Sequence, residues 1–66
     1  MIVRQGLIVK FTDRVENNVV IRTSDIAAIY QDRAAEIHII LHSGLKHIIR
    51  PSEYITFEDV ITKIFF

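Results

Sequence analysis

His38, His42 and His47 are the residues whose chemistry most needs weighing, because imidazole ligates metals and titrates near neutral pH. All three fall in two strand-forming runs, residues 36–42 and 45–50, separated by Ser43-Gly44. Read as a hairpin with a two-residue Ser-Gly loop, the glycine supplying positive φ, Ile39 faces Ile48 and Ile40 faces His47. The histidines then share one face. His38 and His42 stand about 13 Å apart at roughly 3.3 Å per strand residue, with His47 diagonal to each at about 7–8 Å between Cα atoms. A pair could chelate, but this spacing argues against all three meeting on one ion. We expect neither metal nor cofactor, and a pH-sensitive surface is the functional use left to the histidines.

Other reactive residues are explained by local structure. Ser24-Asp25 and Ser52-x-Tyr54 read as turn and cap chemistry. Two glycines, Gly6 and Gly44, cannot build a phosphate-cradling loop of known pattern. Glu58 and Asp59 sit at a helix start, where capping suffices to explain them. With no cysteine there is neither a disulfide nor a thiolate–zinc staple. The expectation is a protein without catalytic function.

The elements that would position these residues are mostly strands. Thirteen of the 66 residues are isoleucine and six are valine, and β-branched side chains favour strands. Residues 7–12 and 19–22 read as strands, joined by a turn-like stretch in which Asn17-Asn18 can adopt left-handed conformations. Thr23-Ser24-Asp25 breaks the pattern. Residues 26–30 fit either a strand or one helical turn, since Ile26 and Ile29 are spaced i, i+3. Residues 31–35 are turn-like, the hairpin follows, and Pro51 ends its second strand.

The C-terminal segment carries agreeing helix signals. Thr56 is the N-cap, Asp59 completes a capping box, and Ile55 with Val60 forms a hydrophobic staple. Phe57, Val60, Ile61, Ile64 and Phe65 make one apolar stripe. The fold class is therefore α+β: a small antiparallel sheet of about four strands followed by one helix (β-β-β-β-α), in a single domain of residues 1–66.

No apolar run approaches a membrane span and the N-terminal stretch lacks a signal-peptide pattern, so the expected location is cytoplasmic. Eight basic residues balance eight acidic ones. A nucleic-acid binder is more often basic, whereas neutrality with half the residues hydrophobic favours self-association.

In the two-residue register one face carries Ile37, Ile39, Leu41, Lys46, Ile48 and Arg50, and the other His38, Ile40, His42, Leu45, His47 and Ile49. Neither face is cleanly polar, as it would be on a sheet with one side in water. One helix covers one face, so the expected cover for the other is a second copy, with Ile40, Leu45 and Ile49 at a homodimer interface. The competing arrangement is a curled sheet or small barrel that buries both faces within one chain. Phe66 either docks on a neighbouring subunit or widens the core stripe. The leading expectation is a protein-interaction or assembly module with a further, unidentified protein partner. The alternative is a small nucleic-acid-binding domain using a strand face, with Arg4, Lys10, Arg14, Arg22 and Arg33 as cations and Phe11 or Tyr30 for stacking.

The spacing Ile8-Val9-Lys10-Phe11-Thr12, Val19-x-Ile21, Ile26-x-x-Ile29, Ile37-x-Ile39-x-Leu41-x-x-Gly44 and Ile48-x-x-Pro-x-Glu53, then a helix, resembles the small FlbD-type flagellar proteins. It covers most of residues 8–64. The family's more typical Asn-Gly turns are replaced here by Asn17-Asn18 and Ser43-Gly44. The resemblance implies a non-enzymatic accessory role in bacterial motility, and no functional residue is carried over from it. Small phage-encoded β-domains share the same spacing.

Overall fold

The computed structural model describes residues 2–52 and 55–66. Glu53 and Tyr54, invoked above for the family spacing and for turn chemistry, lie outside the described residues. Among the described residues six strands form two three-stranded antiparallel sheets, and one helix follows. The first sheet is a meander of β1 (Val3–Gln5), β2 (Ile8–Thr12) and β3 (Asn18–Arg22). A single 3-10 turn, Thr23–Asp25, leads into β4 (Ile26–Gln31), β5 (Ile37–Leu41) and β6 (Lys46–Ile49) of the second sheet. Helix α1 (Phe57–Phe65) completes the chain.

The α+β class and the terminal helix are as expected, but the single four-stranded sheet is not. β1 went unread because Val3-Arg4-Gln5 is short and mostly polar. It exists because Gly6, at φ 60°, closes a two-residue turn that pairs Gln5 with Ile8. Residues 26–31 are a strand, and the i, i+3 spacing of Ile26 and Ile29 has a specific cause. A β-bulge lies between Ile26 and Ala28, where the pairing steps from Leu41 to Ile40. The extra residue, Ala27, puts Ile26 and Ile29 on the same face, both packed against the core.

The β5–β6 hairpin departs from the two-residue reading. Its register pairs Ile37 with Ile49, His38 with Ile48, Ile39 with His47 and Ile40 with Lys46. The loop is His42-Ser43-Gly44: Leu41 N donates to Leu45 O at 2.8 Å and Gly44 N to Leu41 O at 2.9 Å. Gly44, at φ 92°, takes the left-handed position that ends such a three-residue loop. One residue more in the loop flips one strand against the other. Ile49, expected at a dimer interface, therefore joins Ile37 and Ile39 on the inner face, 2 % exposed.

The two sheets and the helix share one core. Val9, Phe11, Val19 and Ile21 come from the first sheet, Ile37, Ile39 and Ile49 from the second, Val60 and Ile64 from the helix, and Ile2 from ahead of β1. The inner face of each sheet is thus buried within one chain, while the outer faces stay outside this core. The capping box is present: Thr56 Oγ1 accepts from Asp59 N at 3.2 Å, and Asp59 Oδ2 accepts from Thr56 N at 3.0 Å. Phe65, read as part of the apolar stripe, is 59 % exposed. Arg4 spans from the first sheet to the helix end, donating to Ile64 O at 2.8 Å and Gly6 O at 2.9 Å. No helix among the described residues is long and apolar enough to cross a membrane.

The β2–β3 and β4–β5 loops are built alike from Asp-Arg. Asp13 Oδ1 accepts from Val15 N and Asn17 N, and Asp32 Oδ1 from Ala34 N and Glu36 N, all at 2.9–3.0 Å. In each, the fourth residue is left-handed, Glu16 and Ala35 both at φ 66°. That conformation costs a residue with a Cβ about 1–2 kcal/mol. Replacing Ala35 by glycine removes the cost, offset in part by the greater freedom of unfolded glycine, for a net gain of about 0.5 kcal/mol. Gly44→Ala meets no atom within 4 Å and should lose about 1 kcal/mol through backbone strain alone. Urea midpoints of the two variants test the pair, opposite shifts being the expected result.

Candidate functional site

The outer face of the second sheet carries the densest cluster of interacting side chains outside the core. The register sets them in two rows, Tyr30–His38–Ile48 and Ala28–Ile40–Lys46. His38 is only 7 % exposed although it points away from the core. Its ring stacks on Tyr30, centroids 4.5 Å apart and planes within 5°. Its Nε2 lies 2.6 Å from Asp32 Oδ2, a distance typical of a charge-assisted bond. Asp32 thereby serves both the loop, through Oδ1, and the histidine, through Oδ2. Its carboxyl is held below the usual carboxylate range, first by the His38 bond and then by the Glu36 and Ala34 amides, with partial desolvation opposing. Asp13 is lowered in the same direction, chiefly by the Asn17 amide.

A carboxylate–imidazole pair is also the core of acid–base machinery, so the second nitrogen decides what this one can do. His38 Nδ1 is buried and has no hydrogen-bond partner among the described residues. Nδ1 is not open to solvent in this arrangement. The pair works as a clamp that fastens the β4–β5 loop to the sheet. The orphaned nitrogen costs on the order of 1–3 kcal/mol.

The three histidines do not converge. His47 pairs with Ile39 and so faces inward, meeting Phe11 edge-on at 6.0 Å, while His38 faces outward and His42 is exposed in the hairpin loop. The shared face expected above came from the shorter loop. Among the described residues no group of three or more His, Cys, Asp or Glu side chains could hold a metal ion. Ser24 is exposed in the 3-10 turn, and Ser43 Oγ accepts from Leu45 N at 3.4 Å.

The interface candidates are dispersed. Ile40 is half-buried on the outer face, Ile49 is in the core, and Leu45 is 57 % exposed at the hairpin end. Phe66 is 91 % exposed beside Arg4, Gly6, Thr62 and Lys63, around a groove of about 510 Å³. Ile48 replaces Ile49 as the outward residue of β6. Of the partners of His38, Asp32 was not an expected site residue, and Tyr30 was expected only as a stacking aromatic for nucleic acid. The signal was available: reading Asp32-Arg33-Ala34-Ala35-Glu36 as a five-residue loop sets Tyr30 opposite His38.

The cations do not form one surface. Arg14 pairs with Glu36 at 2.8 Å, Arg4 caps the helix end, Arg33 lies in a turn, and Lys10 and Arg22 share the outer face of the first sheet. Phe11 is 4 % exposed and so cannot stack on a base. No family model, curated protein or solved structure matches this chain.

Because Asp32 has a lowered pKa when folded, its contribution is fully present above the unfolded carboxylate range and is lost as pH falls from that range through the lower folded value. Asp32→Asn should therefore flatten the fall in stability between about pH 5 and about pH 2.5. Urea midpoints across that range give the slope. An unchanged slope would mean that the clamp is not formed in solution.

Proposed function

We propose that this chain is a non-catalytic protein-interaction and assembly module that self-associates through the outer face of its second sheet. One observation carries the reading: Tyr30 is 42 % exposed there, beside half-buried Ile40 and Ile48, all outside the continuous core. The His38–Asp32 clamp beneath Tyr30 holds that surface in shape without using any catalytic capacity. Net charge is zero, so two copies meet without long-range repulsion. The FlbD-type resemblance is compatible with such a role, as a motility accessory or a phage-type small protein acting in the cytoplasm.

Magnitudes decide how tight the association is. Six apolar side chains across a two-fold interface, each already about half out of water, return roughly 5–9 kcal/mol. Association costs about 4–15 kcal/mol in lost freedom. The expected dimer is weak, and the monomer folds by itself on its own core.

The nucleic-acid reading draws less support, because among the described strand cations only Lys46 shares the outer face of the second sheet with Tyr30, whereas Lys10 and Arg22 lie on the other sheet. Retention on heparin that weakens steeply with salt would favour it. For self-association, light scattering over a dilution series should show the mass rising above monomer at high micromolar concentration. Ile40→Lys should hold it at the monomer with an unchanged melting curve. A strict monomer throughout the range, or an Ile40→Lys variant that still dimerises, overturns this surface as the interface.

A further inference from the structure

Charges in this chain are segregated by element. Among the described residues every carboxylate side chain lies in a loop, a turn or the first turn of the helix, whereas the charged side chains of the strands are Arg4, Lys10, Arg22 and Lys46, all cationic. The segregation is sharpest on the outer face of the first sheet. The register builds it from the rows Val3–Lys10–Val20 and Gln5–Ile8–Arg22, with Thr12 opposite Asn18. No carboxylate belongs to that face. Lys10 and Arg22 are exposed and make no hydrogen bond or ion pair among the described residues, unlike Arg4 and Arg14. Beside them Val3 and Val20 stand 38 % and 60 % exposed, and an open depression of about 330 Å³ runs over Val3, Lys10 and Val20 between Gln5 and Asn18.

We propose that this face docks an extended acidic segment of a protein partner. The chemistry is charge complementarity with a matched repeat. Lys10 and Arg22 are diagonal neighbours on adjacent strands, about 7–8 Å apart at Cα. In an extended chain, residues two apart lie on one side at roughly 6.6 Å. Two alternating carboxylates therefore reach both cations, and Val3 and Val20, on either side of Lys10 in its row, offer apolar surface next to the second carboxylate. The Gln5 and Asn18 side-chain amides supply donors around the depression, Thr12 Oγ1 donating to Asn18 Oδ1 at 3.3 Å. A nucleic-acid strand fits less well, since no aromatic side chain is on this face for a base to stack on. The surface is separate from the Tyr30–Ile40–Ile48 face and does not depend on self-association.

The test is fluorescence anisotropy with a labelled, end-blocked peptide Ser-Glu-Ser-Glu-Ser-Val-Ser, the same peptide with lysine for glutamate, and an oligothymidylate. Protein is kept below the concentration at which it self-associates, so failure here leaves the dimer reading untouched. The acidic peptide should bind, the basic one should not, and affinity should fall between about 50 and about 300 mM salt. The double variant Lys10→Gln/Arg22→Gln should weaken binding about tenfold with an unchanged melting curve, while Arg33→Gln, on a loop, should have no effect. Equal binding of the two peptides, or an undiminished affinity in the double variant, overturns the proposal. Tighter binding of oligothymidylate that is lost in the double variant overturns it as well, since the ligand would then be a phosphate backbone.

Discussion

The left-handed residue that closes the β5–β6 hairpin sets the arrangement on which the rest depends. At φ 92°, Gly44 lets His42-Ser43-Gly44 form a three-residue loop, and that loop fixes the pairing of Ile37 with Ile49 and Ile39 with His47. Strand side chains alternate, so this register turns Ile37, Ile39 and Ile49 together toward the first sheet. A loop one residue shorter would set Ile39 opposite Ile48 and send Ile49 outward. Each of the three buried isoleucines is worth about 1.5–3 kcal/mol of transfer free energy, comparable in sum with the whole stability of a small domain. The register is therefore held by the core as firmly as the core is held by the register.

The same economy appears in the other two long hairpins. Both use an aspartate whose Oδ1 collects the second and fourth following amides, with a left-handed residue before the return strand. The side chain satisfies donors that the short loop would leave without partners. In the second sheet the aspartate has one oxygen to spare, and His38 takes it. A loop-forming residue and an outward histidine thus become one unit, which buries His38 behind Tyr30 and leaves Nδ1 without a partner. The sheets are tied at the same end, where Arg14 N donates to Ile48 O and the Arg14 side chain meets Glu36.

A core that closes within one chain changes what the remaining surface is for. Apolar side chains left outside this core are Tyr30, Ile40 and Ile48 on one sheet and Val3 and Val20 on the other. The sheets that carry them bear the strand cations Arg4, Lys10, Arg22 and Lys46, and among the described residues the carboxylates sit in loops, turns and the helix start. Neutral net charge therefore conceals two outward faces that differ from the ends of the molecule.

Much of the architecture was legible from local signals. The helix is written in Thr56, Asp59 and an apolar repeat, because a cap and a stripe are properties of neighbouring residues. The β-rich class follows from isoleucine and valine, and β2, β3, β5 and β6 lie where those residues cluster. Three matters were decided only by the tertiary structure. β1 exists because β2 offers it a partner, its own residues being weak strand formers. Ile26 and Ile29 face inward because a bulge at Ala27 cancels the alternation, which no periodicity reveals. Ile49, Ile48 and His47 owe their faces to a single residue of loop length, and that length was chosen by the burial of Ile37, Ile39 and Ile49 against a sheet far away in sequence. Composition determined that apolar strand surface had to be covered; register and long-range packing determined that the chain covers most of it itself.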